Sequence, residues 1–276
     1  MEPVQEKFIA LNGLQFHYLD WGKTDAPVII ALHGFTSLAR TWDTVARALS
    51  DRYRFLALDQ RGHGETEWAD SYTLNSALGD LEAFVSALGV KSFVLLGHSM
   101  GGWISYTYAP SHPAQVVRLI IVDMGPEIMP AFAQRLSSSL DAGDVFESHE
   151  HVLRKMRAEN SRASDEELFH RAKHNVKQRQ DGKWTWRYDR GFRDGSRPIE
   201  RLAPAQQWQS LARITCPTLL VRGAETDLLA RETALRMVST IPNCRYVEIQ
   251  HAGHSVFMDN PTDFIAAVNE FLSAYS

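Results

Sequence analysis

Four short stretches of this chain, residues 28–32, 55–58, 93–96 and 119–122, are apolar at every position and rich in Val, Ile, Leu and Phe. A strand covered on one face alternates apolar and polar residues. A run with no polar member needs cover on both faces, which is the situation of central strands in a mostly parallel sheet. Most of these runs are closed by Gly, Asp or a polar turn and followed by a stretch of helical periodicity, so strands and helices alternate. Leu74, Leu78, Leu81, Val85 and Leu88 recur at steps of three and four, with Gly89 where such a helix would stop. Leu14, Phe16 and Tyr18 alternate with Gln15 and His17 as a half-buried strand would. The rhythm resumes at 218–221 and 245–249. Phe264, Ile265, Val268, Phe271 and Leu272, after Pro261, describe a closing helix.

Between about residues 126 and 208 the alternation breaks. The stretch offers no convincing buried strand and is crowded with Arg, Lys, Glu, His and Gln, which predicts a helical cap inserted at 126–208 into a core made of 1–125 and 209–276. Inside it, Ser164 and Glu167 form a capping box ahead of the stripe Leu168, Phe169, Ala172 and Val176. Val152, Leu153 and Met156 mark another helix.

Bulk properties bound the function. With 276 residues, 44% hydrophobic and 22% charged, the chain is long enough for one large core with an inserted subdomain. A net charge of −4 supplies no broad positive field, so neither nucleic acid nor a membrane surface is expected as a partner. No run of about 18 apolar residues is present, and the first ten residues lack the basic-then-apolar layout of a secretory signal. Cys216 and Cys244 stand far apart without metal-ligand spacing, as two reduced thiols would. A cytoplasmic location is the expectation, and a monomer and a homodimer are both compatible with it.

The sharpest local pattern is Gly97-His98-Ser99-Met100-Gly101-Gly102, after the apolar run 93–96 and before the helix-compatible 103–109. A G-x-S-x-G turn between strand and helix forces its serine into a strained backbone, and small residues two positions either side keep the neighbouring backbone from colliding. Such an elbow presents the Ser99 hydroxyl above the sheet and aims the Met100 amide at the same point. A serine hydroxyl needs a base. His254, in Gly253-His254-Ser255 between the last strand and the final helix, is the best placed of eleven histidines, with His251 as local rival.

The base in turn needs a carboxylate. Asp227, after the strand at 218–221, completes the order Ser, Asp, His; Asp123, after the run 119–122, and Glu225 compete with it. His33-Gly34-Phe35 follows another central strand, and the Phe35 amide is the expected second donor to an oxyanion. Asp59-Gln60-Arg61-Gly62-His63-Gly64 reads as a constrained turn of the scaffold, and His98 as structural. Glu147, His149, Glu150 and His151 could chelate a metal, but neighbours on a helix point different ways, so none is expected. Trp184, Trp186, Phe146 and Phe169 are candidate lining for a substrate pocket, although aromatics in a small subdomain also serve as its own core.

The four motifs in this order, HGF at 33–35, DQRGHG at 59–64, GHSMGG at 97–102, and Asp227 with GHS at 253–255, resemble the α/β-hydrolase superfamily across essentially the whole chain. The likeness is greatest to its capped bacterial carboxylesterase, lactonase and non-haem haloperoxidase-like branch, whose segment before the return to the core is similar to Trp184, Trp186, Tyr188 and Asp189. The resemblance implies an α/β fold with a mostly parallel eight-stranded sheet and a helical cap. It also implies a Ser-His-Asp triad, no cofactor, and an acyl-enzyme route for a small or medium ester or lactone. Carbon-carbon hydrolases of the superfamily resemble GNSMGG at the elbow and carry a tryptophan soon after the histidine, where this chain has His98 and Ser255-Val256-Phe257. A binding protein that kept the hydrolase pocket is the non-enzymatic alternative.

Overall fold

The computed structural model describes residues 4–141, 143–194, 196–197 and 201–274. The chain opens with β1 (Gln5–Leu11), β2 (Leu14–Trp21) and β3 (Val28–Leu32), followed by α1 (Asp43–Leu49), β4 (Arg54–Leu58) and α2 (Leu74–Ala87). Next come β5 (Phe93–His98), α3 (Met100–Tyr108) and β6 (Val116–Val122). The insertion carries α4 (Pro130–Asp141), β7 (Val145–Phe146), α5 (His149–Glu159), α6 (Asp165–Asn175), β8 (Val176–Gln178) and β9 (Trp184–Trp186). After it run α7 (Pro204–Ala212), β10 (Thr218–Gly223), α8 (Arg231–Thr240), β11 (Cys244–Ile249), α9 (Val256–Asp259) and α10 (Pro261–Ser273).

Eight strands form one sheet in the order β1-β2-β4-β3-β5-β6-β10-β11. Only the β1–β2 and β2–β4 pairs are antiparallel. The all-apolar runs are its centre, and their alternation sends side chains to two separate layers. Ile29, Ala31, Phe55, Val94, Leu96 and Ile120 pack with α1 and α10 on one face. Ile30, Leu32, Leu56, Phe93, Leu95 and Ile121 pack with α2, α3, α7 and α8 on the other. No side chain of these runs needs a hydrogen-bond partner, and their backbone groups pair within the sheet, so the two apolar layers explain the composition of the strands.

Local signals act where the sequence places them. Thr73 caps α2 by accepting from the Ser76 amide, and Gly89 takes φ +65° just past its end. Ser164 caps α6 by accepting from the Glu167 amide. His17 departs from the alternation expected of β2: it is buried, because its Nδ1 bonds the buried Asp59 carboxylate at 2.7 Å.

The insertion differs from an all-helical unit. Its three short strands form an antiparallel sheet in the order β7-β9-β8, packed with Val152, Met156, Leu168 and Ala172. The seam expected between 208 and 209 falls inside α7, whose buried Leu211 belongs to the layer of α3 and α8. Among the described residues no helix is long and apolar enough to cross a membrane.

Candidate active site

The strand order reverses direction around β3, which has β4 on one side and β5 on the other. Loops leaving the C-terminal ends of β3 and β5 therefore diverge and leave a crevice between them. Leu32 pairs with Gly97, so the HGF loop and the elbow leave the sheet side by side. His98 pairs with Val122, which puts Asp123 at the same level on the opposite flank.

Ser99 has φ +53° and ψ −119°, a conformation few non-glycine residues adopt. The glycines around it make that strain tolerable. A methyl group at Gly97 would overlap the Gly101 carbonyl and the Ser105 hydroxyl, and one at Gly101 would overlap the Leu32 carbonyl. The Gly101 amide donates to the His33 carbonyl at 3.1 Å, tying α3 to the HGF loop. Gly34 lies against Ser99: a Cβ there would stand 3.1 Å from that of the serine. The amides of Phe35 and Met100 therefore belong to backbone that flanks Ser99, and Met100, first in α3, has no carbonyl one turn earlier to bond.

His254 completes a hydrogen-bonded chain. Its Nε2 is 3.0 Å from Ser99 Oγ, and its Nδ1 is 2.8 Å from Asp123 Oδ2. Asp123 is fully buried, and its carboxylate also accepts from Thr226 Oγ1 at 2.6 Å and from the Gly223 amide at 3.3 Å. Burial pushes the Asp123 carboxyl up, while these donors pull the other way. Burial likewise pushes the His254 imidazole down, helped by the nearby Arg135. The ring is thereby kept a free base with its Nε2 lone pair available to Ser99. His98 Nε2 donates to the His254 carbonyl at 2.9 Å and fixes the histidine loop; Phe132 of α4 packs edge-on against the His254 ring.

Asp227, the acid expected to hold His254, does not touch it. Its two oxygens take a bidentate pair from Arg135 at 2.6 and 2.9 Å. The reason lies in the loop after β10, where Thr226 turns inward to Asp123 and leaves its neighbour facing α4. Glu225 pairs with Arg162, and the side chain of His251 is 90% exposed, so neither reaches the serine.

A cavity of about 730 Å³ opens above Ser99, walled by the core (Phe35, Met100, His254, Met258) and the insertion (Phe132, Trp186). Trp186 is the one of the four candidate aromatics that lines it. Phe146 is buried against the Trp186 ring as core of the insertion, and Trp184 packs on His149 outside the cavity. Phe169 is 57% exposed because the inward face of α6 is set by Leu168, Ala172 and Asn175. Sequence reasoning passed over Phe132, Thr226 and the arginines of the cavity wall, which no motif marks. Asp59 accepts from the Ala39 and Glu65 amides, and Gln60 brackets His33 through its own amide and side chain. The DQRGHG segment thus braces the HGF loop. Among the described residues no group of three or more His, Cys, Asp or Glu is arranged to hold a metal ion.

Residues 27–261 match the sequence model of a family described as alpha/beta hydrolase fold. The chain is 31% identical to the 3-hydroxybutyrate-oligomer hydrolase of Cupriavidus necator, over 96% of its own length and 94% of that protein's. It is 29% identical to an esterase of Mycobacterium tuberculosis, over 92% and 85% of the two. The crystal structure of E-2-(acetamidomethylene)succinate hydrolase is similar with a TM-score of 0.88 and 22% identity, covering 98% of this chain and 100% of that one.

Proposed function

The chain belongs to the alpha/beta hydrolase fold family, and from that premise we propose that it hydrolyses small or medium carboxylic esters or lactones through Ser99, His254 and Asp123. The observation that carries this reading is the continuous path from Ser99 Oγ through both ring nitrogens of His254 to a buried carboxylate, at 3.0 and 2.8 Å. Relatives named as an esterase and as an oligomer hydrolase support the ester reading.

Ser99 Oγ attacks the carbonyl carbon while its proton passes to His254 Nε2, and Asp123 stabilises the imidazolium through Nδ1. The Phe35 and Met100 amides receive the oxyanion, which develops where the positive end of α3 points. The tetrahedral adduct expels the alcohol, which takes the proton from His254. Water then gives a proton to the same nitrogen as it attacks the acyl-serine, and the second adduct collapses with return of that proton to Ser99 Oγ and release of the acid. The insertion acts as a cap: a partly covered cavity of about 730 Å³ suits soluble short esters better than emulsified long triglycerides.

The test is hydrolysis of p-nitrophenyl butyrate by the wild type and by Ser99→Ala, with fluorophosphonate labelling of both. Turnover and labelling lost together in the variant support the reading. Near-wild-type turnover in Ser99→Ala would remove the serine from the mechanism.

A further inference from the structure

The cavity above Ser99 is charged oppositely to the chain that builds it. The net charge is −4, yet among the described residues Arg135, Lys155, Arg171, Arg193 and Arg201 line the cavity, against the single carboxylate of Glu159. Four of these cations are already engaged. Arg135 holds Asp227, Lys155 holds Glu159 at 2.8 Å, Arg193 donates to the carbonyls of Ser139, Leu140 and Gly143, and Arg201 donates to the Gly125 carbonyl and Gln207.

A buried Nε without a hydrogen-bond partner is common to Arg171, Arg193 and Arg201, but Arg193 and Arg201 bond through their other nitrogens. For Arg171, the acidic groups nearest in effect among the described residues, Glu167, Glu159 and Asp259, act only through space. It stands on the inward face of α6, three residues after the buried Leu168 and four before the buried Asn175. The side chain is half-buried, so its guanidinium has lost part of its water and meets no carboxylate of the described residues except through space. Its field reaches His98, which holds the His254 loop, so the unmatched charge lies within electrostatic range of the reacting centre.

We infer that Arg171 binds a carboxylate carried by the substrate, and that the preferred substrates are esters with a free acid group on the acyl or the alcohol side. A planar guanidinium with open N–H groups matches a carboxylate in a two-point fork. The substrate supplies the anion that the protein withholds, and the acid group anchors the ester for attack by Ser99.

The turnover assay rests on the ester-hydrolase reading above. One arm compares p-nitrophenyl hydrogen adipate with methyl p-nitrophenyl adipate, placing the acid on the acyl side. The other compares 4-(butanoyloxy)benzoate with 4-(butanoyloxy)benzamide, placing it on the alcohol side. In the arm that matches, the wild type favours the charged ester in kcat/KM, and Arg171→Gln shrinks the charged-to-neutral ratio about 10- to 100-fold, mainly through KM. Arg171→Lys restores part of it. A ratio unchanged in folded Arg171→Gln overturns the inference, as does a wild type without preference in either arm. Should no ester turn over at all, calorimetry of adipate binding to Ser99→Ala decides separately. Binding that disappears in Ser99→Ala/Arg171→Gln supports the inference, while absent or Arg171-independent binding overturns it. If Arg171→Gln does not fold, failure of adipate to bind Ser99→Ala still overturns it, and binding that Arg171→Lys weakens supports it.

Discussion

The Thr226 hydroxyl donates to Asp123 Oδ2 at 2.6 Å, and that same oxygen lies 2.8 Å from His254 Nδ1. The loop after β10 therefore reaches the carboxylate partner of His254 through a threonine, and that carboxylate comes from the loop after β6. Its own acid, Asp227, serves α4 instead.

Exchange of the two acids separates their roles. Asp123→Asn leaves an amide where His254 needs an acceptor and should lower kcat by about 10⁴-fold, the scale set by loss of the oriented tautomer in serine hydrolases. Asp227→Asn should change kcat less than tenfold. Steady-state kinetics on p-nitrophenyl butyrate checks both, and the reverse ranking would return the role to Asp227.

The pH profile follows from the direction of the His254 shift. The reactive form is the unprotonated ring, and burial together with Arg135 lowers its pKa from the ordinary 6.5. The acid limb of kcat/KM should then lie below pH 6.5, with activity kept as the pH falls through that value. Arg135→Gln removes a repelling cation and frees Asp227, whose charge raises the imidazole pKa. Its acid limb should move upward. A limb that stays in place would separate the imidazole from these charges.

Packing at the elbow has a stability consequence. Gly101→Ala drives a methyl into the Leu32 carbonyl, and the backbone must shift to accept it. The cost should be about 2–3 kcal/mol, a fall in Tm of roughly 4–12 °C by thermal denaturation. Gly79→Ala, on α2 with nothing within 4 Å of the added methyl, is the control and should not lower Tm.

Aromatic truncations should divide by position. Trp186→Ala opens the cavity wall and should alter the dependence of kcat/KM on acyl length. Phe169→Ala removes a side chain that is 57% exposed and should leave stability within about 0.5 kcal/mol and acyl preference unaltered. A panel of acetate to octanoate esters measures both.

Periodicity and local chemistry determined much of this protein. The runs at 28–32, 55–58, 93–96 and 119–122 became the central strands because residues without polar side chains must be covered on both faces. Ser99 was legible because its elbow demands glycines at fixed offsets, a constraint that acts within six residues. His254 followed from its place between the last strand and the closing helix.

What acts between segments distant in sequence was left to the tertiary structure. Asp123 and Asp227 both follow strands, and both stand between Ser99 and His254 in chain order, so no local pattern separates them. The choice came from the inward turn of Thr226 and the outward pull of Arg135, a side chain 92 residues away from Asp227. The cavity wall is the same kind of case. Phe169 and Arg171 sit two positions apart on one helix, and hydropathy alone would bury the first and expose the second. The packing of α6 exposes the first and half-buries the second, because helix rotation is set by the whole buried face and not by the preference of one residue.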